Sequence, residues 1–276
     1  MRTTIVVFTK VPKAGDTKTR LTAKRGGILT PAEAMAFYEG CLLDVINVCL
    51  AAGSGDVRVC YNHDGDREYL ETVLARTADR SQIKEVYADQ GGNFDQCMQY
   101  AADYILKNGA PDRLADSVVI VGGDLPSLQP GILQDTVVKL ERLAGSEPGR
   151  KAALHIENAP PGLGAALVEG ACQEGGFSVV GYTCTTPFDF NRVFYNTEGI
   201  TALDMLVTKA AQQNIPFGVV EAAPDVDIPV DLASMIPVIK ALELAAQCDP
   251  SIKVPVNTLA VLGEIGLESS AVPPNR

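Results

Sequence analysis

Three groups of residues in this chain have types and spacings that could do chemistry. The first is basic: Lys10, Lys13, Lys18 and Arg20 lie in Phe8-Thr9-Lys10-Val11-Pro12-Lys13-Ala14-Gly15-Asp16-Thr17-Lys18-Thr19-Arg20-Leu21, behind the apolar run Thr4-Ile5-Val6-Val7. A short β-branched run, then a Pro/Gly loop, then cations reads as a buried strand feeding an anion-binding loop. Residues 1–25 hold seven basic side chains (Arg2, Lys10, Lys13, Lys18, Arg20, Lys24, Arg25) and one acid, Asp16, on a chain of net charge −11. Concentrated positive charge on an acidic protein suits a small anionic ligand. Nucleic acid calls for a broad basic face and a high pI, whereas the pI here is near 4.7. In an extended stretch Lys18 and Arg20, two apart, project to one side, with Lys10 at the strand's end. Arg grips two phosphate oxygens through its planar fork, Lys acts as a mobile point charge, and backbone amides around Gly15 add donors. The plain alternative is a solvated surface loop.

The second group is acidic. Asp124, in Gly122-Gly123-Asp124-Leu125-Pro126, follows the apolar run Ser117-Val118-Val119-Ile120-Val121 through two glycines. That places it at the carboxyl edge of a sheet, where ligands of open α/β folds bind. Gly123 permits close approach of a diphosphate, and Pro126 fixes the turn. A carboxylate beside a diphosphate needs a cation between them, so Asp124 implies Mg2+ or Mn2+; otherwise it caps a helix or completes the turn. Asp225 and Asp227 form a D-x-D pair whose carboxylates face one way in an extended segment and can meet one cation. The competing reading is a polar turn bracketed by Pro224 and Pro229, with Asp231 as a capping residue. The third group is Glu174-Gly175-Gly176-Phe177: an acid able to take a proton or hold a hydroxyl, or simply a Gly-Gly bend.

The opening stretch resembles the signature F-T-K-x-P-x-x-G-x-x-K-T-R-L of a bacterial glycosyltransferase family in the nucleotide-diphospho-sugar transferase superfamily. Every specified position is met. The blocks Gly122–Pro126, Glu174–Phe177 with Gly181, and Asp225–Leu232 follow in that family's order, so the likeness spans residues 5–232. The resemblance implies a single-domain GT-A, Rossmann-like α/β fold with a mostly parallel central sheet and helices on both faces. It implies nucleotide or phosphate contacts from Thr9, Lys10, Gly15, Lys18, Arg20 and Gly123, and a metal site at Asp124 closed by Asp227 with Asp225 beside it. Glu174 becomes the base. Glu174 and Phe177 depart from the family's Asp and Tyr, a change of reach of about 1.5 Å for the acid. Cys97 stands where an arginine precedes the methionine matched by Met98. Asn196-Thr197 falls where the family has a serine or threonine near the acceptor. The implied function is transfer of a sugar from a nucleoside diphosphate-sugar to an acceptor the sequence does not name. A nucleotidyltransferase using an NTP and a phosphorylated small molecule, and a nucleotide-binding protein without catalysis, stay open.

These residues need elements to position them. Strand-like stretches at 3–9, 57–61, 84–88, 117–122, 165–170, 177–183 and 217–222 alternate with helical ones at 31–52, 66–77, 94–108, 130–143, 201–213 and 231–247, the pattern of a mostly parallel sheet covered on both faces. Thr30, Pro31 and Glu33 give the first helix a clean start, and Gly53 a stop. Gln90-Gly91-Gly92-Asn93 lies between a strand and the start of a helix. The breaker-rich segment 144–164 reads as an elaborated loop interrupted by a strand-like piece at 152–156. His155, in that piece, reads as structural. One domain over 1–267 and a fraying tail at 268–276 are expected. No run approaches ~18 uninterrupted apolar residues, so no membrane span is expected. Seven scattered cysteines without a C-x-x-C pair suggest reduced thiols and a cytoplasmic home. Two histidines, His63 and His155, leave little material for a His-rich zinc site or a Ser-His-Asp triad. Homodimerisation is the default expectation for a soluble oligomer.

Overall fold

The β-branched run at the N-terminus folds as β1 (Thr3–Thr9). It pairs in parallel on one side with β2 (Asp56–Tyr61) and on the other with β4 (Ser117–Gly122). The computed structural model describes residues 1–157 and 159–268. Adding β3 (Ile83–Ala88), β5 (Leu167–Ala171), β6 (Phe177–Thr183) and β7 (Phe217–Val219) completes one sheet in the order β3-β2-β1-β4-β6-β5-β7. Only β6 runs against its neighbours. The carboxyl ends of the other six strands, and the β5–β6 turn, therefore share one edge. β1 and β4 are apolar and buried almost throughout, as strands covered on both faces must be.

Helices α1 (Pro31–Ala52), α2 (Arg67–Leu74) and α4 (Pro130–Ala144) cover one face; Leu42, Ile46, Leu70 and Leu133 meet Ile5, Val59 and Val119 there. The other face carries α3 (Phe94–Leu106) and α6 (Ala202–Gln212), with Ile105 and Leu206 packed near Val6, Val118 and Val180. A third layer joins α1 to α7 (Pro229–Ala245) and α8 (Val256–Ile265) through Phe37, Cys41, Leu232, Ile236 and Leu262. The α1 start is a reciprocal cap: Glu33 N–H donates to Thr30 Oγ1 (3.2 Å), and Thr30 N–H donates to the Glu33 carboxylate (2.7 Å). Gly53 ends the helix at φ 61°. α1 is long and apolar enough to cross a membrane, but 67% of its most apolar window is buried inside the fold.

The structure differs from the sequence reading in the second half. Segment 152–156 is not a strand; α5 (Glu147–Ala152) precedes irregular chain in which His155 is exposed. α7 begins at Pro229 rather than 231, which puts Asp231 at its third position, and α8 lies beyond the last expected helix. Of the expected tail, residues 269–276 lie outside the described residues. All seven cysteines are free thiols.

Candidate functional site

A cavity of about 820 Å³ opens at the shared carboxyl edge. Its floor follows from Gly122-Gly123-Asp124 at the end of β4. A Cβ on Gly122 would lie 2.8 Å from Asp124 Oδ1, and one on Gly123 would lie 2.9 Å from Thr9 Oγ1 and 3.1 Å from the Tyr38 hydroxyl. A side chain at either position would push aside Asp124, Thr9 or Tyr38, the groups that shape the cavity floor.

Lys18 reaches across to that carboxylate. Its backbone is left-handed (φ 51°, ψ 38°) and it starts a short 3-10 turn over Thr19–Leu21. The loop is thus not extended as the sequence reading assumed; the turn, not strand alternation, brings Lys18 and Arg20 together. The Lys18 side chain is only 6% exposed, and its Nζ lies 2.5 Å from Asp124 Oδ2 and 2.5 Å from Asp227 Oδ1. Burial pulls the Lys18 pKa down, but Asp124 and Asp227 outweigh it and hold the ammonium above the ordinary lysine value. Arg20, more exposed, lies 3.5 Å from Asp227 Oδ2. Burial pushes Asp227 up, yet Lys18 and Arg20 leave it below the usual carboxylate range. Asp225 completes the group: one carboxylate oxygen each from Asp124, Asp225 and Asp227 lie within 4.8 Å of one another. Burial, then repulsion from Asp124 and Asp227, pushes Asp225 up to about 6, against a partial offset from Lys18. Asp231 lies beneath, accepting from Asp227 N–H (3.0 Å) and Ile228 N–H (2.9 Å), so it caps α7 and holds the Asp227 loop.

The remaining sequence candidates divide. Thr9 lines the cavity, but its hydroxyl is engaged by Tyr38 (2.6 Å) and the Lys10 carbonyl (2.8 Å). Lys10 lines the cavity with an exposed side chain 3.8 Å from Asp16. Gly15 does not line it; at φ +80° it forms the turn in which Asp16 N–H and Thr17 N–H donate to the Lys13 carbonyl. Glu174 lines the cavity on the far side, exposed, in the turn between β5 and β6. Glu174 (φ 58°) and Gly175 (φ 73°) are both left-handed, and Gly176 N–H donates to the Gln173 carbonyl (3.1 Å), the geometry of a type I′ hairpin. Asn196 and Thr197 are not on the cavity wall; they bond to Ile200 and Arg192 within their own loop.

Several contributors were not legible in the sequence. Tyr38, from the apolar stripe of α1, holds the Thr9 hydroxyl and accepts from Lys10 N–H (3.2 Å), with Lys18 Nζ 5.8 Å from its ring. Gln173 donates to the Asp225 carbonyl (3.3 Å), and the Cys172 thiol, 3.7 Å from the Gln173 carbonyl, has its pKa pushed up by burial and then by the Asp225 charge. His63, Asp89 and Cys97 form a second group on the wall. Spacing gave no signal for these, because each pairing joins elements far apart in the chain.

A family described as "Uncharacterized protein conserved in bacteria (DUF2064)" matches residues 45–197. The chain belongs to the DUF2064 family. The matched span of this DUF2064 protein includes Asp124 and Glu174 and stops short of Asp225 and Asp227. Its structure is similar to that of a "putative nucleotide-diphospho-sugar transferase" from Desulfovibrio desulfuricans G20, at 21% identity and a TM-score of 0.66, over 96% of this chain and 98% of the other. That likeness establishes the fold class: α/β of the nucleotide-diphospho-sugar transferase type. The 4-diphosphocytidyl-2C-methyl-D-erythritol synthase of Anaerococcus prevotii DSM 20548 aligns with 86% of the DUF2064 chain and 96% of its own length, at 10% identity and a TM-score of 0.46. No curated protein matches the sequence.

Proposed function

We propose that this protein is a metal-dependent transferase that binds a nucleoside diphosphate-sugar in the cavity and passes the sugar to a small-molecule acceptor. The observation that carries the reading is the meeting of Asp124, Asp225 and Asp227 at the carboxyl edge with the buried Lys18 ammonium between two of them. The donor set fits a hard divalent cation: three carboxylates face one buried ammonium, and the excess negative charge shows in the raised Asp225. Asp124, Asp225 and Asp227 would hold Mg2+ or Mn2+, which when bound supplies Lewis-acid neutralisation of the leaving diphosphate. Lys18 and Arg20 add fixed positive charge where the leaving group gains negative charge. Gly123 lets Thr9 and Tyr38 pack against the end of β4 beside the Lys10 backbone, where the phosphate would lie, and Gly15 keeps the basic loop turned. Across the cavity, Glu174 takes the proton of the acceptor hydroxyl. Phe194, in ring contact with both Phe94 and Phe177, gives that side an apolar wall.

The test is thermal denaturation with nucleotides and nucleotide-sugars, with and without Mn2+, because a ligand that binds only the folded state raises its apparent stability. Nucleoside diphosphates should stabilise the wild type only with metal, and Asp124→Asn should abolish that response while keeping the fold. Release of free nucleoside diphosphate from the best donor supports sugar transfer. Pyrophosphate release would move the activity to nucleotidyl transfer, and binding without turnover would leave a nucleotide-binding protein. A wild type indifferent to every nucleotide at any metal concentration would sink the proposal.

A further inference from the structure

The same edge carries a second group of ligating atoms, of a different chemical kind. His63 follows β2, Asp89 follows β3, and Cys97 sits in the first turns of α3. Parallel pairing of β2 with β3, Tyr61 opposite Ala88, sets the two strand ends side by side. Asp89 is 5% exposed; its carboxylate accepts from His63 N–H (2.9 Å), lies 2.7 Å from His63 Nδ1, and is within 4.8 Å of the Cys97 sulfur. Cys97 is brought in by the loop before α3. Asn93 caps that helix by accepting from Gln96 N–H (3.0 Å), and Gly91, at φ +154°, packs so tightly that a Cβ would lie 2.9 Å from Cys97 N. One ring nitrogen, one carboxylate oxygen and one sulfur thus lie within 4.8 Å of one another. All three residues line the cavity, and the His63 side chain is 54% exposed toward open space.

We propose that His63, Asp89 and Cys97 form a binding site for a borderline-soft divalent cation, of which Zn2+ is the type. The donors decide the class. Imidazole and thiolate favour zinc over magnesium, whereas the all-oxygen group at Asp124, Asp225 and Asp227 favours the harder ions. A His-rich motif is not required, since the carboxylate and the thiolate supply two of three ligands. Three protein ligands on a cavity wall leave a fourth position for water or a donor atom of a bound molecule, the arrangement of an open rather than a purely structural zinc site. On binding, the Cys97 S–H bond breaks, a Zn–S bond forms, and the proton passes to solvent. Zinc placed here would give the cavity two chemically distinct cations on opposite sides of the end of β1.

The experiment uses chelator-treated full-length protein with excess Mg2+ to occupy the carboxylate group. Zn2+ affinity is read by competition with a chromophoric zinc indicator, and Co2+ serves as a spectroscopic probe through its thiolate-to-cobalt absorption in the near ultraviolet. Wild type should take up Zn2+ and show the band with Co2+. His63→Ala and Cys97→Ser should each weaken Zn2+ binding at least ~10-fold, and Cys97→Ser should remove the band, while Cys172→Ser and Asp124→Asn keep both. Should Cys97→Ser fail to fold, the wild type decides: Zn2+ should protect Cys97 from alkylation, read by peptide mass spectrometry. Unchanged zinc affinity in both site variants, a band that disappears with Cys172→Ser instead, or alkylation of Cys97 indifferent to Zn2+ would each overturn the assignment. None of these readouts involves a nucleotide, so failure here leaves the transferase proposal standing, and the reverse.

Discussion

At the scale of single residues, one ammonium bridges two carboxylates and offsets the charge around the third, Asp225, only in part. Its folded-state pKa, about 6, lies above the ordinary 3.8. The unfolded chain therefore holds fewer protons on this group between those values, and its contribution to stability falls as pH rises through that window and stays lost above it. Asp225→Asn should accordingly stabilise the chelator-treated protein near pH ~7 and lose that advantage near pH ~4. Urea melts at the two pH values check it; an equal advantage at both would remove the electrostatic cause. The same variant should lose Mn2+-dependent nucleotide stabilisation, so one substitution moves stability and ligand response in opposite directions. Arg20 and Lys13 make a second contrast. Arg20 faces Asp227 on the cavity rim, whereas Lys13 lines a smaller hollow on the other side of the loop. Arg20→Ala should weaken nucleoside diphosphate binding at least ~10-fold and Lys13→Ala hardly at all, measured by titration calorimetry at fixed salt. The carboxylates and cations of this group stood out in the sequence because they cluster beside glycine and proline directly after apolar strand-like runs, which places them at the sheet edge. Tyr38 did not, since a tyrosine in an apolar helical stripe looks like core until its hydroxyl is located. His63 and Asp89 did not either, because strand register brings them together.

Secondary-structure elements explain both what was legible and what was not. The strands over 3–9, 117–122 and 177–183 were legible because apolar, mostly β-branched runs fill their centres, while the few buried polar residues (Thr3, Thr4, Thr9, Ser117, Ser178, Thr183) lie at or near their ends. α5 was hidden by its own breakers. Ser146 caps it, Pro148 sits in the first turn where proline is harmless, and Gly149 is required because a Cβ would lie 2.3 Å from the Leu143 carbonyl. α8 was hidden because its start signal lies elsewhere in the chain: Asp44, on α1, accepts from Asn257 N–H (3.1 Å), Asn257 Nδ2 (2.8 Å), Thr258 N–H (2.8 Å) and Thr258 Oγ1 (2.7 Å). The β5–β6 turn gives a prediction of its own. A glutamate in a left-handed conformation costs more than an asparagine there, so Glu174→Asn should raise stability by about 0.5–1 kcal/mol. A loss of stability in denaturant melts would contradict the turn geometry. If Glu174 receives the acceptor proton, the same variant keeps nucleotide binding and loses turnover.

Across the whole molecule, Asp44 fastens the third layer to the sandwich. Gly40, one turn before it, lets α8 lie close: a Cβ there would come 3.1 Å from the Asn257 backbone. Asp44→Ala should cost about 2–4 kcal/mol, because four donors lose one charged acceptor. Amide exchange over 256–265 should accelerate far more than over β1 and β4; uniform acceleration would mean that α8 does not open separately. The bridge at Lys18 has a further consequence, one of timing. Its partners lie 106 and 209 residues further along the chain. Synthesis proceeds at roughly 5–20 residues per second, so about 10–40 s separate the appearance of Lys18 from that of Asp227. In the second half of that interval, once β4 and Asp124 have been made, the nascent chain can pair β1 with β2 and β4 while its basic loop still lacks the second carboxylate. The ribosome, rather than the finished fold, sets how long that loop stays open to other anions.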